Sequence, residues 1–237
     1  MTLNPLDSWI MSATGTLTHR SEILDLWIQG LKGNQLVKGG VLITVFWWLW
    51  FRSEPNIKRV RGVLLASLFG ALAAVATARV AALSLPFRLR PLHEPDFDYQ
   101  LPFWTSPEAL DGMSSFPSDH AAVFFGLAAG FLFLSRKLGL VMLAYVTLFV
   151  AIPRVYTGMH YPTDILAGAF LGLVFAALAN YFLPKLAMWD LILEWPDKHP
   201  PSFYSALFLL TLQVVTLFEG ARSVASVGYR TLRLVVR

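Results

Sequence analysis

The chain has 237 residues, of which 56% are hydrophobic and 14% charged, and its formal net charge is +4. A soluble globular domain carries about 25% charged residues, so this composition excludes an ordinary soluble fold and indicates a polytopic membrane protein. The absence of cysteine excludes a disulfide framework and a thiolate metal site. Because the basic residues lie mainly in loops beside apolar runs, we interpret them as topology signals and phosphate ligands rather than as a nucleic-acid surface.

The N-terminal part is predicted to lie outside the membrane bundle. Residues 1–18 lack a basic segment followed by an apolar core, so we expect no cleavable signal peptide. Residues 20–32 show helical periodicity with two distinct faces. The apolar face contains Ile23, Leu24, Trp27, Ile28 and Leu31, and the polar face contains Glu22, Asp25, Gln29 and Lys32. This pattern predicts an amphipathic helix that either lies in the membrane interface or packs on the bundle.

Apolar runs suited to membrane helices fill the middle of the chain. They cover residues 36–51, 62–86, 119–135, 138–153, 164–183 and 203–219. The predicted fold class is therefore an all-α membrane helix bundle with six spans, or five if the last run is re-entrant. We expect a single domain over residues 1–237. It would comprise an interfacial segment (1–35), the transmembrane bundle (36–219) and a basic amphipathic tail (220–237).

Basic residues in short loops predict the orientation of the bundle. They are Arg52, Lys58, Arg59 and Arg61 in the first loop and Arg136 and Lys137 in the third. These two loops are expected on the cytoplasmic side, so the loops at 87–118 and 154–163 face the other side. In the tail, a helical stripe suited to an anionic membrane surface is formed by Arg222, Ser226, Arg230, Arg233 and Arg237. Six spans place this stripe outside, and a re-entrant last run places it in the cytoplasm.

The first candidate site segment contains Arg154, His160 and Asp164. Asp164 follows His160 by four residues, within reach on one helical turn. A carboxylate that accepts the imidazole Nδ1–H leaves Nε2 free as a nucleophile. Arg154 could hold phosphate oxygens in bidentate fashion. Taken alone, the segment is also compatible with a polar loop whose histidine and aspartate merely satisfy each other.

The second segment, Pro117-Ser118-Asp119-His120, is typical of a helix start. The first N–H groups of a helix and its dipole favour an anion there. Ser118 adds a hydroxyl, and His120 is placed to act as a general acid. The alternative is an N-cap followed by an interfacial histidine.

The third segment ends in Arg90-Pro91, and Arg90 would be a second phosphate ligand. Arg79 lies well inside the apolar run 62–86, where a charge is costly, so we expect it to face the bundle interior or a polar cavity. The alternative is an arginine that extends to the interface or caps backbone carbonyls.

Together the three segments resemble the signatures of the type 2 phosphatidic acid phosphatase (PAP2) superfamily. Those signatures are Lys-x6-Arg-Pro, Pro-Ser-Gly-His and Ser-Arg-x5-His-x3-Asp, and the match covers about residues 79–164. The resemblance implies His160 as the nucleophile, Asp164 as its orienting group and His120 as the general acid. It also implies that Arg90, Ser118 and Arg154 bind phosphate.

Three positions depart from the family pattern. Leu83 stands at the expected lysine, and Arg79, or else Arg88, is predicted to replace it. Pro153 stands at the serine before Arg154. Asp119 stands at the glycine of the second signature, which is similar to the Pro-Ser-Asp-His of bacterial undecaprenyl-diphosphate phosphatases. Asp119 is therefore grouped with the phosphate site, where it could also tune His120 or hold an amine headgroup.

The expected function is that of a bacterial inner-membrane lipid phosphatase with a site facing the exterior or periplasm. Its expected partners are a phosphorylated lipid and membrane lipids, and we expect no nucleic acid, metal or other cofactor. The best candidate substrate is undecaprenyl diphosphate. Alternatives are phosphatidylglycerol phosphate, phosphatidic acid or lipid A phosphates, a lipid phosphotransferase that uses the same phosphohistidine, and a non-catalytic lipid-binding or transport protein.

Overall fold

The computed structural model describes residues 4–94 and 99–219. All regular secondary structure in these ranges is helical. The helices of this part are α1 (Pro5–Gly15), α2 (Glu22–Gly33), α3 (Leu36–Phe51), α4 (Ile57–Ser84), α5 (Asp119–Phe133), α6 (Arg136–Tyr156), α7 (Pro162–Lys185), α8 (Trp189–Lys198) and α9 (Pro200–Val215). The predicted basic stripe of the tail lies outside the described residues.

Six of these helices are apolar along their length. Helices α4, α6 and α7 are long and apolar enough to cross a membrane, and α3, α5 and α9 are shorter apolar helices. Each of the six predicted runs overlaps one of them. The prediction of an all-α membrane helix bundle is therefore confirmed.

Helices α4, α5 and α7 form the centre of the bundle, and small residues allow their backbones to approach closely. Gly70 on α4 lies against the Phe175 carbonyl of α7, and Gly172 on α7 lies against the Ala122 carbonyl of α5. A Cβ at Gly168 would overlap the carbonyl oxygen of Ser118, just before α5. These glycines therefore fix the spacing between α5 and α7 at the end where both helices begin.

Helix α2 has an unusual orientation for an amphipathic helix, because its polar face is turned inward. Asp25 is fully buried and accepts hydrogen bonds from the backbone N–H groups of His19 (3.1 Å) and Phe103 (3.0 Å). Ile23 and Trp27 on the opposite face are exposed. Helix α2 therefore packs on the protein through Asp25, as one of the two sequence alternatives has it, and leaves an apolar face exposed.

Helix α8 was not among the predicted elements. It buries Trp189 and Leu193 against the bundle and displays acidic residues outward. One of these, Asp190, pairs with Lys58 near the start of α4 at 3.0 Å. The helix is too short and too polar to stand out among the apolar runs, which explains why it was missed.

Candidate active site

The first and second sequence segments meet where helices α7 and α5 begin. The Ser118 backbone N–H donates a hydrogen bond to the Asp164 carbonyl (3.1 Å), which joins the two helix starts. The Ser118 hydroxyl accepts from the Ala121 N–H (3.4 Å) and caps α5. Because the N–H groups of a first helical turn lack partners within the helix, this capping is what starts α5 at Asp119.

His160 is buried immediately before α7, with only 4% of its surface exposed. Its Nδ1 lies 2.9 Å from the Ser115 carbonyl and 3.7 Å from an Asp164 carboxylate oxygen. A proton on Nδ1 satisfies the Ser115 carbonyl, which leaves the lone pair on Nε2. Burial lowers the pKa of His160, and the nearby Arg90 guanidinium lowers it as well, while Asp164 opposes both effects. The lowered pKa favours the neutral form of the ring, which keeps its lone pair on Nε2.

Asp164 is fully buried and connects several elements around His160. One carboxylate oxygen accepts the Tyr161 backbone N–H (2.7 Å) and the Ser115 hydroxyl, and the other accepts Arg88 (2.6 Å). Sequence reasoning gave no role to Ser115, although it lies only three residues before the Ser118 of the recognised segment. Its hydroxyl fixes Asp164, and its carbonyl fixes His160.

Arg90 lies at the nucleophile and holds two loops together. Its guanidinium donates to the backbone carbonyls of Met113 (3.2 Å), Ser114 (3.1 Å) and Met159 (2.5 Å). One of its nitrogens is 3.4 Å from the Nε2 of His160. Burial lowers the pKa of the Arg90 guanidinium, but a guanidinium stays charged at physiological pH. A cation is therefore held beside the atom from which a nucleophilic attack would start.

Arg154 is a second buried arginine in this region, with 3% of its surface exposed. It donates to the Val150 carbonyl one turn earlier in α6 (3.1 Å). Within the described residues, neither Arg154 nor Arg90 forms a salt bridge with a carboxylate. A buried cation is costly without a counter-charge, so each of the two arginines favours binding of an anion beside it.

The contacts of His120 differ from those of His160. Asp119 accepts the His120 backbone N–H (3.0 Å), and the same oxygen lies 3.2 Å from the His120 Nδ1. Its other oxygen forms an ion pair with Arg79 of α4. The structure thus brings together Arg79, Asp119 and His120, and the intramembrane arginine faces a carboxylate of the bundle.

An apolar cleft of about 250 Å³ opens beside this ion pair. Apart from Arg79 and Asp119, it is lined by Leu72, Val75, Ala76, Leu217 and Phe218. A cleft with one ionic end and hydrocarbon walls suits a lipid chain that carries an anionic headgroup.

Arg88 does not resemble a free phosphate ligand in this arrangement. Its guanidinium donates to Asp164 (2.6 Å), to Thr163 (2.9 Å) and to Asp7 of α1 (2.6 Å), and it stacks over the Tyr161 ring at 4.2 Å. Asp7 was not identified from the sequence. A single carboxylate near the N-terminus carries no local signal of a contact with a guanidinium 81 residues away.

The described residues contain no group of three or more histidine, aspartate or glutamate side chains that could hold a metal ion. The positive charge that lies against His160 is the guanidinium of Arg90, a group that binds phosphate oxygens well.

Comparisons with known proteins agree with this arrangement. A family model described as the PAP2 superfamily matches residues 64–188, more than half of the chain. This range contains all the site residues except those contributed by α1.

Curated relatives match shorter parts of the chain. The bacitracin transport permease protein BcrC of Bacillus licheniformis is 35% identical over 36% of this chain and 41% of its own length. A protein of Escherichia coli (strain K12), provisionally named undecaprenyl-diphosphatase YbjG, is 40% identical over 25% of this chain and 30% of its own length. The lipid A 4'-phosphatase of Bacteroides thetaiotaomicron is 44% identical over 26% of this chain and 28% of its own length. The match spans less than half the length of each relative.

Among solved structures, a transmembrane PAP2-type phosphatidylglycerolphosphate phosphatase from Bacillus subtilis overlaps 76% of this chain and 85% of its own. The TM-score is 0.47 and the sequence identity is 24%.

Proposed function

The chain belongs to the PAP2 superfamily, and from this premise we propose that it is an integral membrane lipid phosphatase that acts through a phosphohistidine. The observation that carries the proposal is the pair of buried arginines, Arg90 and Arg154, which form no salt bridge with a carboxylate among the described residues, together with the Arg90 nitrogen that lies 3.4 Å from Nε2 of His160. A phosphate group supplies the missing negative charge, and the ring supplies the nucleophile.

In the proposed first step, the Nε2 lone pair of His160 forms a bond to phosphorus while the bond to the leaving oxygen breaks. The guanidinium groups of Arg90 and Arg154 neutralise the equatorial oxygens as charge redistributes. His120 gives a proton to the leaving lipid oxygen. In the second step His120 takes a proton from water, and the oxygen of that water displaces Nε2 and releases phosphate.

The contacts of Asp119 support a positioning role for it on the acid side of the site. It holds the His120 ring through Nδ1, which leaves Nε2 available for proton exchange with the substrate. Arg79 balances the charge of Asp119 at the mouth of the apolar cleft. In this proposal Arg79 and Asp119 contribute to the phosphate region as an ion pair rather than as separate ligands.

The proposed substrate is a lipid phosphate or diphosphate, with undecaprenyl diphosphate as the first candidate. The support for undecaprenyl diphosphate is the Pro117-Ser118-Asp119-His120 segment and the name of one relative, whereas the name of another favours a lipid A phosphate. The lipid chain is proposed to enter sideways through the cleft between α4 and the residues that follow α9.

The experiment that tests the function is phosphate release by the purified protein in detergent with EDTA. The panel consists of undecaprenyl diphosphate, phosphatidylglycerol phosphate, phosphatidic acid and lipid A. His160→Ala is the test variant, and His199→Ala, at an exposed histidine outside the site, is the matched control. We expect release that requires His160 but not His199. A folded wild-type protein that releases phosphate from none of these lipids, or His160→Ala with wild-type rates, contradicts the proposal.

The proposed location is the outer face of a bacterial cytoplasmic membrane. It rests on the basic loops around residues 52–61 and 136–137, which favour the cytoplasmic side. Because the chain has no cysteine, Ser106→Cys and Ser53→Cys each introduce a unique label site on opposite sides of the proposed membrane. An impermeant maleimide applied to intact cells is expected to label the first variant and not the second, and the reverse pattern contradicts the orientation.

A further inference from the structure

We infer that Asp7, on the N-terminal helix α1, is a positioning residue for His160. This inference rests on the proposed function, since it assigns a role within the same site. It makes α1 a part of the catalytic unit, although the sequence suggested only an interfacial segment over residues 1–35.

The contacts of Asp7 carry the inference. The side chain is fully buried, and it accepts the Thr163 backbone N–H (2.9 Å), the Thr163 hydroxyl (2.6 Å) and an Arg88 N–H (2.6 Å). Arg88 in turn donates to Asp164, whose carboxylate lies 3.7 Å from the His160 ring. Asp7, Arg88 and Asp164 therefore form a continuous chain of charges that ends at the proposed nucleophile.

The start of helix α7 has a backbone N–H group that requires a hydrogen-bond acceptor at the position of Asp7. The residue before its first turn is Tyr161, whose side chain makes no capping hydrogen bond. The Thr163 N–H is one of the donors that a helix start leaves without a partner. Asp7 satisfies it from a separate helix, and its negative charge also suits the positive end of the α7 dipole. The start of α7 is thus capped by Asp164 of its own first turn, which accepts the Tyr161 N–H, and by Asp7 from a helix more than 150 positions earlier.

The charges of the network favour a role in the reaction beyond capping. Two buried carboxylates share one guanidinium, so the three groups carry one net negative charge. When Nε2 of His160 bonds to phosphorus, the ring keeps its Nδ1 proton and gains one positive charge. The four groups are then neutral together. Without the charge of Asp7, Arg88 pairs with Asp164 alone, and the developing positive charge on the ring is no longer balanced.

The test is Asp7→Asn in the full-length protein, because asparagine keeps an acceptor for the Thr163 N–H while it removes the charge. We expect kcat to fall roughly 10- to 100-fold with KM within about twofold, since Arg90 and Arg154 still bind the phosphate. We also expect the formation of the phosphoenzyme, trapped in rapid-quench experiments, to slow by the same factor. The imidazole NMR signals of His160 are assigned by their loss in His160→Ala. In Asp7→Asn these signals should show a smaller fraction of rings with the proton on Nδ1.

The matched control is Asp25→Asn. Asp25 is also fully buried, lies on the neighbouring helix α2 and holds backbone N–H groups, but it has no link to Asp164. We expect a lower melting temperature for this variant with kcat within about twofold of wild type. A general requirement for a packed N-terminal segment would instead reduce kcat in both variants alike, and that result overturns the inference.

The remaining outcomes are decisive as well. A folded Asp7→Asn protein with wild-type kcat overturns the inference while the proposed function stands. If the wild-type protein releases no phosphate, the proposed function fails. The NMR signal of the His160 ring still tests the inference, because it can be recorded without turnover. A signal that is unchanged in Asp7→Asn overturns the inference. If Asp7→Asn does not fold, Thr163→Val removes the hydroxyl shared by Asp7 and Arg88 at nearly constant volume, and an unchanged kcat in that variant overturns it.

Discussion

The two histidines of the candidate site occupy contrasting environments. His160 is nearly inaccessible and is held by the Ser115 carbonyl, Asp164 and a charge network that reaches α1. His120 has a side chain that is 24% exposed, and its ring contacts one carboxylate at the edge of an apolar cleft. The difference suits the proposed roles, because the nucleophile meets the same phosphate in every substrate, whereas the acid meets a leaving group that varies with the lipid.

The largest effect is expected when each histidine is replaced in turn. We expect His160→Asn to abolish phosphate release from every substrate, a loss of about 10⁶-fold. We expect His120→Asn to lose about 10²- to 10⁴-fold with lipid monophosphates and much less with para-nitrophenyl phosphate, whose leaving oxygen needs no proton. Steady-state kinetics on both substrates checks this, and equal losses for the two variants on both substrates would remove the distinction between the histidines.

A smaller loss is expected from Asp164→Asn. We expect kcat to fall roughly 10²- to 10⁴-fold, because the ring loses the carboxylate that stabilises its positive charge. The protonated ring cannot attack, so the rate falls as the pH drops through the pKa of His160. That pKa is lowered by burial and by Arg90, and Asp164 raises it. The acidic limb of kcat/KM therefore lies below the ordinary histidine pKa of about 6.5, and in the variant it should move to still lower pH. A limb that moves to higher pH contradicts the electrostatic argument.

Variants of the Arg79–Asp119 ion pair test the surroundings of His120. We expect Arg79→Ala to reduce kcat/KM about 10-fold, because Asp119 keeps its charge in a largely buried place without a partner. The double variant Arg79→Ala/Asp119→Gly should recover part of this loss, since it removes both charges and restores the glycine that the family pattern carries. Kinetics of both single variants and of the double variant form the cycle, and additive losses would mean that the two residues act independently.

The smallest effect is expected in the cleft. We expect Ala76→Trp to fill it and to raise KM for the lipid substrate a few-fold, with no change for para-nitrophenyl phosphate, which has no chain to accommodate. Leu166→Trp, at an exposed position of α7 that does not line the cleft, is the control. A lipid KM that is unchanged in Ala76→Trp places the substrate chain elsewhere.

Local patterns in the sequence were sufficient for the apolar helices of the bundle and for candidate site residues that lie within one helical turn of each other. The apolar runs gave the six helices of the bundle, because hydropathy is a property of consecutive residues. His160 and Asp164, or Ser118 and His120, are recognisable because each pair lies within one turn. Arg79 was expected to face the bundle interior or a polar cavity, and it faces Asp119 of α5.

The parts that were missed depend on long-range contacts. Asp7 and Arg88 meet only after the chain has folded back on itself, and nothing near Asp7 in the sequence marks it. The partners of Arg88 could not be foreseen for the same reason, since a guanidinium near a phosphate site and one between two carboxylates have the same local sequence. The short helix α8 is amphipathic, and its composition did not distinguish it from a loop.

The glycines between α5 and α7 have a consequence for any attempt to transplant this site into another protein. The separation of the two histidines is set by the main chains at Gly168 and Gly172, which lie against the carbonyls of Ser118 and Ala122. A designed bundle that copied the histidines, arginines and aspartates but used alanine at these two positions would hold its helices too far apart. The arrangement of the site residues thus depends on two glycines that contribute no side chain to the site.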